Sequence, residues 1–292
     1  MNRLAQVLRM IKFEHSVFAL PFALAGAWIA AGGLPPAADL ALIVAAAVAA
    51  RSAAMAFNRL VDRDFDATNP RTAGRELVTG ELKPGWTAAF TAASAGLFVA
   101  ASFLLAPVCG WLSIPVLALL LGYSLLKRFT LLCHFGLGLA LACAPGGAWL
   151  AVSKDFVAGW PVPLWIGAGV VAWVSGFDLL YAIQDVAHDR REGLHSVPAR
   201  IGARRSRLLA AGLHVLALAL FWVAGAEAGL GGWYRGGLGL VALLLILENW
   251  LLRGGRVERI PQAFFSVNAW VGPAYLLGLL LDLHLGGITL GR

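Results

Sequence analysis

A chain of 292 residues that is 60% hydrophobic and only 13% charged lies far from soluble domains, in which roughly a quarter of residues are charged. Its mean hydropathy of +0.77 points to a membrane protein. The net charge of +7 does not signal nucleic-acid binding, because the basic residues sit in short loops between apolar runs and not on one continuous face.

Arg3, Arg9 and Lys12 precede the first apolar run, 16–33. That run superficially resembles a signal peptide, but it is longer than the usual apolar region of one and many more runs follow, so it reads as a retained first helix. A hydrocarbon core about 30 Å thick needs roughly 20 apolar residues per helix. On that measure nine spans are predicted, at 16–33, 39–61, 85–106, 109–126, 131–152, 162–183, 207–225, 234–252 and 263–284. The expected fold is an all-α integral membrane protein with nine transmembrane helices, forming one polytopic domain over 1–292; runs this long and uniformly apolar do not suit barrel strands. Spans two and six both end in Asp clusters followed by Arg-bearing loops, which suggests two four-helix repeats plus a ninth helix.

Pro21, Pro115, Pro145 and Pro273 fall inside spans and predict kinks. Trp28, Trp111, Trp149, Trp160, Trp165 and Trp233 fall near the outer span ends and predict an aromatic belt. Cys109, Cys133 and Cys143 lie in or beside apolar runs without metal-ligand spacing, which argues against a disulfide or zinc framework. Eighteen of the 23 Lys and Arg residues fall in segments on one side, against Lys154, Arg235 and Arg292 on the other. The excess predicts a cytoplasmic N-terminus and a C-terminus outside.

Two polar stretches close apolar segments, over 58–75 and 178–205. Residues four apart on a helix share a face, which groups Asn58, Asp62 and Asp66, and likewise Asp185 and Asp189, with Asp178 and Tyr181 on the same side. A carboxylate within a span costs roughly 2.5–3.5 kcal/mol on the insertion scale, so positive charge must compensate it. Oxygen-only ligands favour Mg²⁺, which uses one or two carboxylates together with substrate phosphate and water. Arg63, Arg71, Arg75, Lys127, Arg128, Arg190 and Arg204 then have an anion to meet, and a diphosphate on a lipid tail satisfies both signs of charge. Asp64, Glu81, Glu192 and Glu258 read singly as a solvated face. His15, His134, His188 and His195 lie near the same ends and read as structural or solvated, while spacing suggests no partner for His214 or His284. A secondary transporter is the rival from another class, since intramembrane carboxylates also mark ion paths.

At these residues the chain resembles the UbiA-type superfamily of intramembrane aromatic prenyltransferases. The pattern N-x-x-x-D-x-x-x-D is met by Asn58, Asp62 and Asp66, and D-x-x-x-D by Asp185 and Asp189. Arg71-Thr72, Tyr123-Ser124 with Lys127-Arg128, and Asp178, Tyr181-Ala182 and Gly193 also match. Many members carry a further Asp directly after the Asn, where this chain has Arg59. The stretches Lys12-Phe13-Glu14-His15, Asn58-Arg59 and Arg71-Thr72-Ala73-Gly74-Arg75 are similar to a 4-hydroxybenzoate polyprenyltransferase-like bacterial subgroup, which includes enzymes of the futalosine route to menaquinone.

The resemblance implies transfer of a polyprenyl group from polyprenyl diphosphate to a hydroxylated aromatic carboxylate, of the 4-hydroxybenzoate or dihydroxynaphthoate type. The setting it implies is quinone biosynthesis in the bacterial inner membrane, in contact with lipid. Asp62, Asp66, Asp185, Asp189 and Lys127 become the catalytic candidates. Asn58 and the four Asp residues would hold Mg²⁺, while Lys12, Arg71, Arg75, Tyr123, Arg128, Asp178 and Tyr181 would contact substrates. Other superfamily activities, such as haem farnesyl transfer, stay open on these motifs.

Overall fold

The computed structural model describes residues 3–12, 18–156, 159–253 and 256–286, without the side chains of 3–5 and 264. Phe13, Glu14 and His15 of the first-span pattern, and Arg292, lie outside the described residues.

A short helix α1 (Arg3–Met10) is followed by α2 (Leu20–Ala31), α3 (Ala37–Val61), the six-residue α4 (Arg63–Thr68), α5 (Pro84–Leu105), α6 (Pro107–Leu126) and α7 (Cys133–Ser153). Then come α8 (Pro161–Ala182), α9 (Val186–Arg191), α10 (Val197–Glu227) and α11 (Gly232–Leu251). A single turn, α12 (Ile260–Gln262), leads through a π turn at Ala263–Val267 and a 3-10 turn at Asn268–Trp270 into α13 (Val271–Leu285). Among the described residues there is no strand. Among the described residues, eight helical segments are long and apolar enough to cross a membrane. The remaining predicted span is α2, whose 12 residues reach about 18 Å at 1.5 Å per residue.

Two of the expected kinks are helix starts instead. Pro21 is in the first turn of α2, where its missing N–H would have no partner in any case, and Pro273 is in the first turn of α13. Pro115 and Pro145 do lie inside α6 and α7. Gly202 breaks α10 near its start with φ of +80°, a left-handed conformation that glycine adopts without a Cβ clash. Trp149 faces inward at 4% exposure, packed with Ala148 and Leu150, while Trp111, Trp160, Trp165 and Trp233 are exposed as an aromatic belt requires.

The helix α8 is the central element, packed between α7 and α10. Its Ile166, Val170, Trp173, Val174 and Leu179 are fully buried. Phe22 of α2 stacks on Phe221 at 5.6 Å between ring centres, and Tyr275 lies 5.0 Å from Phe22. Small residues set the helix spacing: a Cβ on Gly26 of α2 would fall 2.1 Å from the Pro145 carbonyl oxygen of α7. Gly26→Val is expected to destabilise the protein by about 1–3 kcal/mol through overpacking, read as a lower midpoint of thermal unfolding in detergent; an unchanged midpoint would show that the α2–α7 contact yields without cost.

Several buried polar groups inside the bundle have partners on neighbouring helices, which suits hydrocarbon surroundings. Asp282 of α13 accepts from the backbone N–H of Gly231 at 2.5 Å, Trp233 at 3.0 Å and Tyr234 at 3.3 Å, capping the start of α11 with negative charge. Trp173 Nε1 donates to Asn268 Oδ1 at 2.7 Å, and Asn268 Nδ2 donates to Glu248 at 3.2 Å. His214, for which spacing suggested no partner, is 3.0 Å from Asn249 Nδ2.

Candidate active site

The helix α3 stops at Val61, and Asp62 forms the joint to α4 with φ of −93° and ψ of 3°. Asn58, Asp62 and Asp66 are therefore carried by two helices meeting at Asp62, not by one continuous face. The second cluster has the same build. A 3-10 turn at Ile183–Asp185 separates α8 from α9, so Asp178 and Tyr181 project from α8, Asp185 from the turn, and Asp189 from α9.

Both clusters line one cavity of about 200 Å³, together with Asn69, Arg71, Arg75, Tyr123, Lys127 and His134. The segment 69–82 crosses between them. Arg71 donates from Nε to Asp185 Oδ1 at 3.0 Å and from Nη2 to Oδ2 at 2.6 Å, the two-pronged pairing that a guanidinium makes with a carboxylate. Its Nη1 reaches the Tyr181 hydroxyl at 3.1 Å, and Asn69 Nδ2 donates to Asp185 Oδ1 at 2.9 Å. Leu77 and Leu82 anchor the same segment against Met10 and Ile11.

Four carboxylates each face a cation. Asp62 has Arg128 Nη2 at 3.4 Å, Asp66 has Arg75 Nη1 at 2.5 Å, Asp185 has Arg71, and Asp189 has Lys127 Nζ at 3.8 Å. Arg128 also donates to the Val61 carbonyl oxygen at the end of α3. Burial pushes the Asp62 carboxyl above its ordinary value, with the Lys127 charge opposing. Burial works against the charge of Arg71, but its hydrogen bonds to Asp185 and that carboxylate's charge hold the guanidinium above its ordinary value. Removing either partner of such a pair strands a charge in a poorly solvated place.

Asn58 Nδ2 donates to Asp62 Oδ2 at 2.8 Å, and its Oδ1 accepts from Arg59 at 3.1 Å. Arg59 is 4% exposed, and through Asn58 it orients Asp62. Asp189 Oδ2 accepts from Ser196 at 2.7 Å, while its Oδ1 is buried with no hydrogen-bond donor on it. Asn58 and the four Asp side chains of the two motifs offer oxygen, which suits a hard cation. Among the described residues no three His, Cys, Asp or Glu side chains converge on one metal position. An ion here would be shared between protein carboxylates and phosphate oxygens, the usual habit of Mg²⁺.

The other expected contacts divide. Arg63 pairs with the exposed Asp64 at 3.9 Å, and Arg190 donates to the Ala199 carbonyl oxygen at 2.9 Å; neither lines the cavity. Lys12 is also outside the lining, with its ammonium 5.5 Å from the Phe265 ring centre. His195 is exposed. His134 and His188, read from sequence as structural or solvated, line the cavity. Missed altogether were Asn69, Ser196 and Arg51.

Arg51 belongs to a second, apolar chamber of about 370 Å³, bounded by α3, α5, α6 and α7 and reaching Phe156 and Trp160 at the opposite end of the bundle. Tyr123 and Leu137 line both spaces, so the polar cavity and the apolar chamber adjoin there. Arg51 is the charged side chain in the chamber wall, two helical turns before Asn58 on α3. An arginine within an apolar span, seven residues ahead of the first motif, was the available signal.

Residues 19–271 match the UbiA prenyltransferase family. The chain belongs to that family. It is an integral membrane prenyltransferase, and membership sets aside the transporter alternative. A 4-hydroxybenzoate octaprenyltransferase of Alkalilimnicola ehrlichii is 33% identical over 262 residues, 90% of this chain and 88% of that one. The protein of that description from Hydrogenovibrio crunogenus is 30% identical over 87% of this chain and 88% of its own. Among solved structures, the apo UbiA homologue of Aeropyrum pernix K1 superposes with a TM-score of 0.84 at 35% identity, covering 92% of this chain and 98% of that one. The Archaeoglobus fulgidus homologue bound to DMAPP and Mg²⁺ has a TM-score of 0.72 at 16% identity, covering 96% and 99%, a likeness of fold.

Proposed function

We propose that the protein transfers a polyprenyl group from a polyprenyl diphosphate to a hydroxylated aromatic carboxylate of the 4-hydroxybenzoate or dihydroxynaphthoate type, with Mg²⁺, in quinone biosynthesis. One observation carries this: a cavity lined by carboxylates and cations adjoins an apolar chamber at Tyr123 and Leu137. The first space suits a diphosphate and the second its isoprenoid tail. Relatives named for octaprenyl transfer to 4-hydroxybenzoate and a homologue that binds DMAPP and Mg²⁺ support the same reading.

Asp62, Asp66, Asp185 and Asp189, with Asn58, would hold Mg²⁺, which when bound offsets the charge of the diphosphate leaving group. Arg71, Arg75, Lys127 and Arg128 already sit on these carboxylates and exchange them for phosphate oxygens as the ligand enters, so the cavity never holds bare like charges. The allylic C–O bond breaks with its electron pair leaving on the diphosphate. Tyr123 and Tyr181 present aromatic faces to the allylic cation, and the apolar chamber keeps water from it. The electron-rich ring then attacks the allylic carbon. Arg51 in the chamber wall meets the acceptor carboxylate.

The basic residues of the Asp-bearing end support placing it at the cytoplasmic face of a bacterial inner membrane, with the N-terminus inside. The test gives purified protein a polyprenyl diphosphate with 4-hydroxybenzoate, a dihydroxynaphthoate or a haem acceptor, with Mg²⁺ or with EDTA. Prenylated aromatic acid in the Mg²⁺ arm, at least about 100-fold above the EDTA arm, is expected. No product with any hydroxylated aromatic acid would overturn the reading, as would full activity in EDTA.

A further inference from the structure

Five carboxylates line the polar cavity on α8 and the two broken helix ends, and one of them is unlike the rest. Asp62, Asp66, Asp185 and Asp189 each face an arginine or lysine. Asp178 is held by a histidine: His134 Nδ1 lies 2.6 Å from Asp178 Oδ2. The His134 side chain is 3% exposed, while that of Asp178 keeps 25% and lines the cavity beside Tyr123 and Leu137, where the polar and apolar spaces adjoin.

The tautomer of His134 follows from its other edge. Its Nε2 faces the Val197 backbone N–H at the start of α10, at 3.4 Å, and a backbone N–H only donates. The hydrogen therefore lies on Nδ1, which donates to Asp178 Oδ2. The ring is held at its backbone too, since Ser175 Oγ donates to the His134 carbonyl oxygen at 3.3 Å. Gly138 allows this approach of α7 to α8, because a Cβ there would fall 2.8 Å from the Val171 carbonyl oxygen and 2.9 Å from Ser175 Oγ. An oxygen already held by an arginine or lysine is engaged, whereas Asp178 is in no ion pair with an arginine or lysine among the described residues and His134 holds only its Oδ2.

We propose that Asp178 is the base that removes the ring proton in the last step of transfer, with His134 as its positioning residue. This assignment rests on the aromatic prenyl transfer proposed above. Once the allylic carbon has bonded to the ring, that ring carbon is tetrahedral and still carries its hydrogen. The C–H bond breaks, its electrons restore the aromatic system, and the proton goes to the Asp178 oxygen that His134 leaves open. The diphosphate, which left earlier with the C–O electron pair, or water takes the proton as products depart.

The experiment compares ring-deuterated with unlabelled 4-hydroxybenzoate in single-turnover product formation, alongside ¹⁸O scrambling between bridging and terminal positions of unreacted polyprenyl diphosphate. Scrambling reports ionisation without proton loss. The wild type is expected to show no isotope effect. Asp178→Asn is expected to form product about 100-fold more slowly with a primary isotope effect of about 3 or more, while scrambling falls far less and certifies a folded site. His134→Asn, which retains an N–H donor, should stay within about threefold of wild type, and His134→Leu should fall about tenfold and gain the isotope effect. Scrambling lost in Asp178→Asn as steeply as product would overturn the proposal by assigning Asp178 to the diphosphate site. So would an Asp178→Asn variant that forms product at the wild-type rate or without an isotope effect. A wild type that prenylates no aromatic acceptor would overturn the parent function together with the base.

Discussion

Asp185→Ala is expected to lower prenyl transfer by about 10²–10³-fold, the loss seen when one preorganised charge-stabilising group is removed from an active site. Two effects combine. The substitution removes one of the oxygens offered to a hard cation, and it releases Arg71 and Asn69, both of which donate to this carboxylate. The segment 69–82 would then lose its main tie to the end of α8, and the Arg71 hydroxyl contact with Tyr181 would loosen with it. Arg71→Lys should show the second effect alone, at about tenfold, because an ammonium cannot reproduce the two-pronged contact. Asp64→Ala serves as the control. Its side chain is 97% exposed and pairs only loosely with Arg63, so activity should change less than about twofold. Initial rates of radiolabelled prenyl incorporation into the aromatic acid decide the matter. Equal losses in the Asp64 and Asp185 variants, or near-normal activity in Asp185→Ala, would remove Asp185 from the site.

The broad architecture was legible because membrane spans announce themselves by length and apolarity. The four-residue spacing of Asp62 with Asp66 and of Asp185 with Asp189 located the cavity, although its helical rationale was incomplete. The chain breaks at Asp62 and at Ile183–Asp185, and four-residue spacing looks the same whether a helix runs on or bends. Arg59 was noticed only as a departure from the family pattern. Its function depends on a one-residue side-chain contact with Asn58, which periodicity cannot show.

The partner of His134 was out of reach for a different reason. A histidine at the start of an apolar helix has no local partner, and Asp178 lies 44 residues away on the next span. The Asp282 cap of α11 and the link from Trp173 through Asn268 to Glu248 were invisible for the same reason. They are contacts between helices distant in the chain, and apolar patterning carries no information about which helix faces which.

Arg51→Leu is expected to raise KM for 4-hydroxybenzoate by about 10–150-fold, the equivalent of one charged hydrogen bond of 1.5–3 kcal/mol. Arginine at the centre of a span is expensive in hydrocarbon, and Arg51 lines a chamber whose other walls are almost wholly aliphatic, small or aromatic. It stands two turns from Asn58 along α3 and shares its chamber with Tyr123, which also lines the cavity of the four cation-paired carboxylates. A ring acceptor with its carboxylate on Arg51 would lie in the apolar space and direct its phenolic edge toward that boundary, where the allylic carbon is to be attacked. Arg51 does not line the polar cavity, so prenyl diphosphate binding should persist. Neutral acceptors separate recognition from general damage: 4-hydroxybenzamide or the methyl ester should be used about equally by wild type and Arg51→Leu, and Arg51→Lys should recover part of the carboxylate preference. If the carboxylate and the amide lose the same factor, Arg51 supports the chamber and does not read the acceptor's charge.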